Sequence, residues 1–103
     1  MPNPRPRDRD FRQGAADAAA MLRTLGHEQR LLVLCLLIER GELSVGQLLA
    51  QVELSQSALS QHLARMREDG LVACRREAQT VHYRIADPRV ETLVAALKSV
   101  FCP

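Results

Sequence analysis

Aromatic residues are almost missing from this chain. Its 103 residues include two Phe, one Tyr and no Trp, so the core has to be aliphatic, built from Leu, Val, Ile and Ala. Long apolar runs are missing too. The longest, Leu31 to Ile38, is eight residues, against about 20 needed to cross a bilayer. The N-terminal stretch MPNPRPRDRDFRQG is basic but has no apolar segment of the secretory kind, so a cytoplasmic protein with no membrane partner is expected. Cysteine is scarce and odd in number, three in all. That is no disulfide framework, and in a reducing compartment such thiols are spectators, metal ligands or redox sensors. No Ser-His-Asp or Cys-His grouping, phosphate loop or cofactor fingerprint occurs, so neither an enzyme nor a cofactor is expected.

What is present is ordinary globular composition: 47% hydrophobic and 25% charged residues, with Gly and Pro at five each. The length suits one compact domain and not two. A domain of this size buries only about 60–70% of its unfolded surface, so a partner subunit would help it. The net charge is +2, weak evidence of a polyanion partner by itself. Its distribution says more. Ser55 to Arg67 contains two arginines, one histidine and no acid, and Arg75 and Arg76 stand together after Glu68, Asp69 and Gly70.

Residues 1–13 are expected to form a disordered basic tail, in which Pro2, Pro4 and Pro6 alternate with Arg5, Arg7, Arg9, Arg12 and two aspartates. It is either a plain terminus or an arm touching phosphates. Residues 14–103 are expected to form the domain. Ala15 to Leu25 has helical apolar spacing and ends at Gly26. A second helix opens at Glu28, is apolar nearly all round, and stops at Gly41. Ser44 and Gln47 fit a capping box for a third helix. Gln51 to Leu54 make a tight turn, and Ser55 caps a fourth helix through Glu68, with Leu59, Leu63 and Met66 inward. Strands are expected at Leu71 to Arg76 and Thr80 to Ala86, joined by a turn at Glu77, Ala78 and Gln79. Asp87 and Pro88 then open a last helix with an apolar stripe. Its Val94, Leu97 and Phe101 have no sufficient partner inside so small a domain. The expected fold is mainly α with a small β-hairpin wing, a winged helix-turn-helix in the order α-α-α-α-β-β-α.

The fourth helix then reads as a recognition helix. Gln56, Ser57, Ser60, Gln61 and Arg65 face outward, and these residue types suit base edges and phosphates. His62 lies beside the apolar stripe and is open to either a DNA contact or a packing and hydrogen-bonding role. Arg75, Arg76 and Gln79 lie on the wing, where phosphate or minor-groove contact is natural. The competing reading of a different class is a winged-helix protein-interaction module that never touches DNA; the acid-free face argues against it.

The runs LGHEQRLLVLCLL, ELSVGQL, LSQSALSQHLARMREDGLV and RREAQTVHYRI resemble those of the ArsR-type winged-helix transcriptional repressors, over about residues 15–103. That resemblance implies a homodimer packed through its first and last helices on double-stranded operator DNA of two-fold symmetry. Metal sensors of the family often carry a thiol pair on the third helix; here those positions hold Ser44 and Gly46, and the last helix has no histidine. The cysteine in LLVLCLL together with the penultimate Cys102 is similar to the sulfur-responsive branch, the BigR, SqrR and YgaV-like repressors. That likeness implies that Cys35 and Cys102 join through a disulfide or polysulfide, with reactive sulfur species as the inducer. A thiophilic metal or another oxidant is the alternative stimulus, and Cys74 is read as a half-buried spectator.

Overall fold

The computed structural model describes the backbone from Pro6 to Pro103 and the side chains from Asp10 onward. The first helix, α1, spans Pro6–Leu25, so it begins well before the expected Ala15. The part of the expected tail before Pro6 lies outside the described residues. Proline is tolerated as the first residue of a helix, and Gln13 Nε2 donates to Asp17 Oδ1 at 3.0 Å, one turn on. Polar helices of this kind need no core, which is why apolar spacing does not announce them.

α2 (Glu28–Arg40) buries Val33, Leu34 and Leu37 and is stopped by Gly41, whose φ of 85° is available to glycine and whose N–H reaches Leu37 O. It packs against α1, against two helices later in the chain and against the sheet. A short strand follows, β1 (Glu42–Ser44). The hairpin is therefore one part of a three-stranded antiparallel sheet of order β1-β3-β2. Three residues are too few to show alternation in the sequence, but Leu43 lies opposite Tyr83 and turns inward, only 6% exposed.

Ser44 ends β1 and caps α3 (Val45–Leu49) with the full capping box: Gln47 N–H donates to Ser44 Oγ at 3.1 Å, and Ser44 N–H to Gln47 Oε1 at 2.9 Å. After the turn comes α4 (Gln56–Glu68), capped by Ser55 Oγ, which accepts from Ala58 N–H at 3.1 Å. β2 (Val72–Glu77) and β3 (Thr80–Ile85) form the wing. The turn between them is two residues long rather than three, with Ala78 at φ 55°. Glu77 belongs to the strand, opposite Thr80, and Arg75 Nη1 holds its carboxylate at 3.0 Å. α5 (Pro88–Phe101) is capped by Asp87, which accepts from Arg89 N–H at 2.9 Å.

The core is aliphatic throughout. Leu34, Leu37, Leu48, Leu59, Leu63, Met66, Leu71 and Val90 are at most 1% exposed. Each large aliphatic side chain so buried contributes about 1.5–3 kcal/mol. Val94 belongs to this core at 2% exposure, so it is not short of an internal partner, whereas Phe101 is 75% exposed and Leu97 half-buried. Leu22 on α1 and Val100 on α5 are also exposed. No described helix is long and apolar enough to cross a membrane.

Candidate functional site

α3, the turn and α4 make the helix-turn-helix. Leu59, Leu63 and Met66 are buried and seat α4 against the core. That fixes the rotation of the helix and leaves Gln56, Ser57, Ser60, Gln61 and Arg65 exposed on the other side. The first turn carries no acid, so the positive end of the helix dipole favours a phosphate oxygen there. Arg65 does not extend freely. Its Nε donates to Asp69 Oδ2 at 3.1 Å, which leaves the outer nitrogens of the fork for an anion. The hydrogen bonds from Thr24 and Arg65 hold the Asp69 carboxyl below its usual range.

His62 does not join that face. It is half-buried, its Nδ1 accepts from Arg30 Nε at 3.2 Å, and its ring lies 4.5 Å from the ring of His27 at a tilt of 59°. Burial, then His27 and Arg30, push its pKa down.

The wing separates its two arginines. The inner face of the sheet carries Leu43, Val72, Cys74, Tyr83 and Ile85; Glu42, Arg75, Glu77 and His82 cluster on the outer face. Arg75 Nη2 lies 2.7 Å from Glu42 Oε1, and its Nη1 lies 3.0 Å from Glu77 Oε2. The guanidinium pulls the Glu42 carboxyl below its ordinary value, and the acids push the guanidinium further up. Arg75, expected on DNA, thus engages two carboxylates, Glu42 across the sheet and Glu77 on its own strand. Arg76 makes no ion pair among the described residues, and Gln79 is exposed in the turn. The Glu42–Arg75 pair is open to solvent and screened by it, so it acts mainly on geometry. Arg75→Ala is therefore expected to change the slope of DNA affinity against salt by far less than the ~0.9 that one phosphate contact supplies. A loss near that value would put Arg75 on the backbone of the duplex.

The second constellation is a pair of thiols. Cys35 sits half-buried in the middle of α2, packed against the core. Cys102 is exposed and ends α5, its N–H bonded to Lys98 O at 2.8 Å. α5 packs on α2, and the two cysteines come near enough to act on each other. Burial chiefly pushes the Cys35 thiol up; Lys98 draws it down, and Cys102 and Glu39 raise it. Both thiols are free. Lys98 was not singled out from the sequence, although its spacing of four residues from Cys102 on one helix would have flagged it. Cys74 lies on β2 opposite Tyr83 and is half-buried.

A helix-turn-helix whose second helix is polar and carries no acid before its last residue, with an antiparallel wing, defines a winged-helix DNA-binding regulator. The family description "Bacterial regulatory protein, arsR family" matches residues 27–73. HlyU of Vibrio cholerae, a transcriptional activator, is 45% identical over 90% of this chain and 85% of its own. The structure of its reduced form superposes with a TM-score of 0.84, covering 91% of this chain and 98% of that one. The regulator YgaV of Escherichia coli strain K12 is 46% identical over 86% of this chain and 90% of its own. The transcriptional repressor BigR of Xylella fastidiosa has a TM-score of 0.86 at 40% identity, covering 92% of this chain and 96% of that one. The chain belongs to the ArsR family of bacterial regulators and is a transcriptional regulator rather than an enzyme.

Proposed function

We propose that the protein is a cytoplasmic homodimeric repressor that holds double-stranded operator DNA when Cys35 and Cys102 are reduced and releases it when reactive sulfur links them. The observation that carries the sensor reading is the packing of α5 on α2 with one shielded and one exposed thiol, the shielded one feeling the charges of Lys98 and Cys102. Thiolates attack sulfane sulfur, and a second thiol nearby resolves the product. The likeness to BigR, described as a repressor, and to a HlyU structure described by its reduced state is consistent with both halves of the reading.

DNA would be read by Gln56, Ser57, Ser60, Gln61 and Arg65 from α4, with Arg76 and Gln79 of the wing on the backbone or minor groove. Gln suits adenine in a bidentate contact, and Arg suits guanine or phosphate. The test separates base from phosphate. On a duplex recovered by selection from random-sequence DNA, Gln61→Ala is expected to lower discrimination by about 1–3 kcal/mol per base pair it reads. Arg76→Ala is expected to weaken all duplexes alike and flatten the salt slope by about 0.9. Both variants behaving like the wild type on selected and random DNA would overturn the interface.

A further inference from the structure

We propose that His62 is a positioning residue for α4: its neutral ring accepts a hydrogen bond from Arg30, ties the recognition helix to α2, and makes operator affinity fall when the ring gains a proton. The inference rests on α4 being the DNA-reading helix.

The geometry allows one protonation state. Arg30 Nε donates to His62 Nδ1 at 3.2 Å. A guanidinium stays charged and only donates, so Nδ1 must offer a lone pair and the proton must sit on Nε2. The same Arg30 reaches back with Nη1 to Thr24 O at 3.4 Å. Thr24 is 1% exposed, and its hydroxyl donates to Asp69, the residue that caps α4 and holds Arg65. The end of α1, the start of α2 and both the middle and the end of α4 are thus joined by one polar chain. Apolar packing is non-directional. Directed hydrogen bonds between helices are what can fix the tilt of a reading head.

The charges around the ring oppose its protonation. His27 and Arg30, from the start of α2, are the groups that act on it; no group of β2, also packed on α4, adds to them. The carboxylate of the chain, Asp69, is already engaged by Thr24 and Arg65. With burial, then His27 and Arg30, pushing its pKa below the ordinary value, the ring is neutral near pH 7. The sign follows. A histidine depressed in the positioned state costs nothing at high pH and exacts its penalty as pH falls below the ordinary value of about 6.5. Protonation removes the acceptor and sets a second positive charge beside the Arg30 guanidinium. A histidine that touched phosphate would do the opposite, gaining charge and affinity in acid.

The experiment measures affinity for the selected duplex between about pH 7.5 and 5.5, at constant salt, for the wild type and His62→Gln, in the range where only histidine titrates. Glutamine offers an oxygen to Arg30 and has no proton to gain. The expected result is equal affinity within about threefold at the upper pH, and a fall of up to about tenfold per pH unit in the wild type relative to the variant. A wild type that gains affinity relative to His62→Gln in acid, or a variant that loses base discrimination at the upper pH, would put His62 on the DNA and overturn the proposal. A companion NMR titration of the His62 ring reads the tie without DNA. Arg30→Gln should raise the midpoint, because a cation and a fixed donor are both removed, and an unmoved midpoint contradicts the tie. If α4 is not the reading helix, substitutions across its polar face leave duplex affinity unchanged while the NMR shift persists, so the two failures are distinguishable.

Discussion

Cys35→Ser and Cys102→Ser proteins are expected to bind operator as tightly as the wild type when reduced, and to stay bound when an organic persulfide is added. The chemistry needs two thiols in order. The Cys102 thiolate attacks the sulfane sulfur of a persulfide, the parent thiol leaves, and Cys102 carries a persulfide of its own. The Cys35 thiolate then attacks the sulfur bonded to Cys102 Cβ, expels hydrogen sulfide, and closes a disulfide; if both cysteines carry persulfides, the same displacement leaves one extra sulfur in the bridge. In each case the added persulfide is the oxidant and hydrogen sulfide the reduced product. Cys102 should react first, because it is exposed, whereas Cys35 is half-buried and its thiol is pushed up mainly by burial. Cys35→Ser should therefore trap a persulfide on Cys102, while Cys102→Ser reacts slowly. In the wild type, a bridge that fixes the end of α5 to the middle of α2 should shift the DNA-bound population by the usual coupling of about 1–3 kcal/mol, a loss of roughly 5–150-fold. Cys74→Ser should respond like the wild type, since it leaves both thiols of the proposed bridge in place. Gel shifts with and without persulfide check all four proteins.

Leu22→Asp is expected to break the dimer and, with it, tight operator binding. Leu22 is 54% exposed on α1, and Val100 and Phe101 on α5 are more exposed still. Apolar side chains this open in a domain this small are the surface on which a second copy would fit. In one subunit, aspartate at position 22 sits in water and costs the fold little. In a dimer packed through α1 and α5 it would be an unpaired buried charge, which is strongly unfavourable. Losing the second half-site contact also removes the effective-concentration gain, so affinity for a two-fold operator should fall by about a hundredfold or more. Sedimentation velocity at micromolar concentration reads the first effect and gel shift the second. A wild type that sediments as a monomer would contradict the assembly.

What could be read from the sequence was local. The Ser44–Gln47 box, the Ser55 cap and the Asp87–Pro88 start are decided within a few residues, and the structure has all three. The buried stripe Leu59, Leu63 and Met66 follows from helical spacing alone, and it sets which side chains of α4 face outward. What was missed depends on distant partners. β1 is a strand because Leu43 meets Tyr83. Arg75 is occupied by Glu42, 33 residues away, and His62 by Arg30, 32 residues away. Thr24 finds Asp69 at a separation of 45. No periodicity encodes such pairs, so the partners that Arg75 and His62 find within the fold are not legible in the sequence. The nearness of Cys35 and Cys102 is likewise a product of α5 returning over α2, and in the sequence it was visible only through family resemblance.

The most direct test of the switch is peptide mass mapping of the reduced wild-type protein after treatment with glutathione persulfide. The account predicts one new species in which the peptides of Cys35 and Cys102 are joined, lighter by two hydrogens for a disulfide and heavier by one sulfur atom for each sulfur retained, with Cys74 left free. Cys35 and Cys102 recovered unlinked, in protein that has nevertheless left its operator, would contradict it.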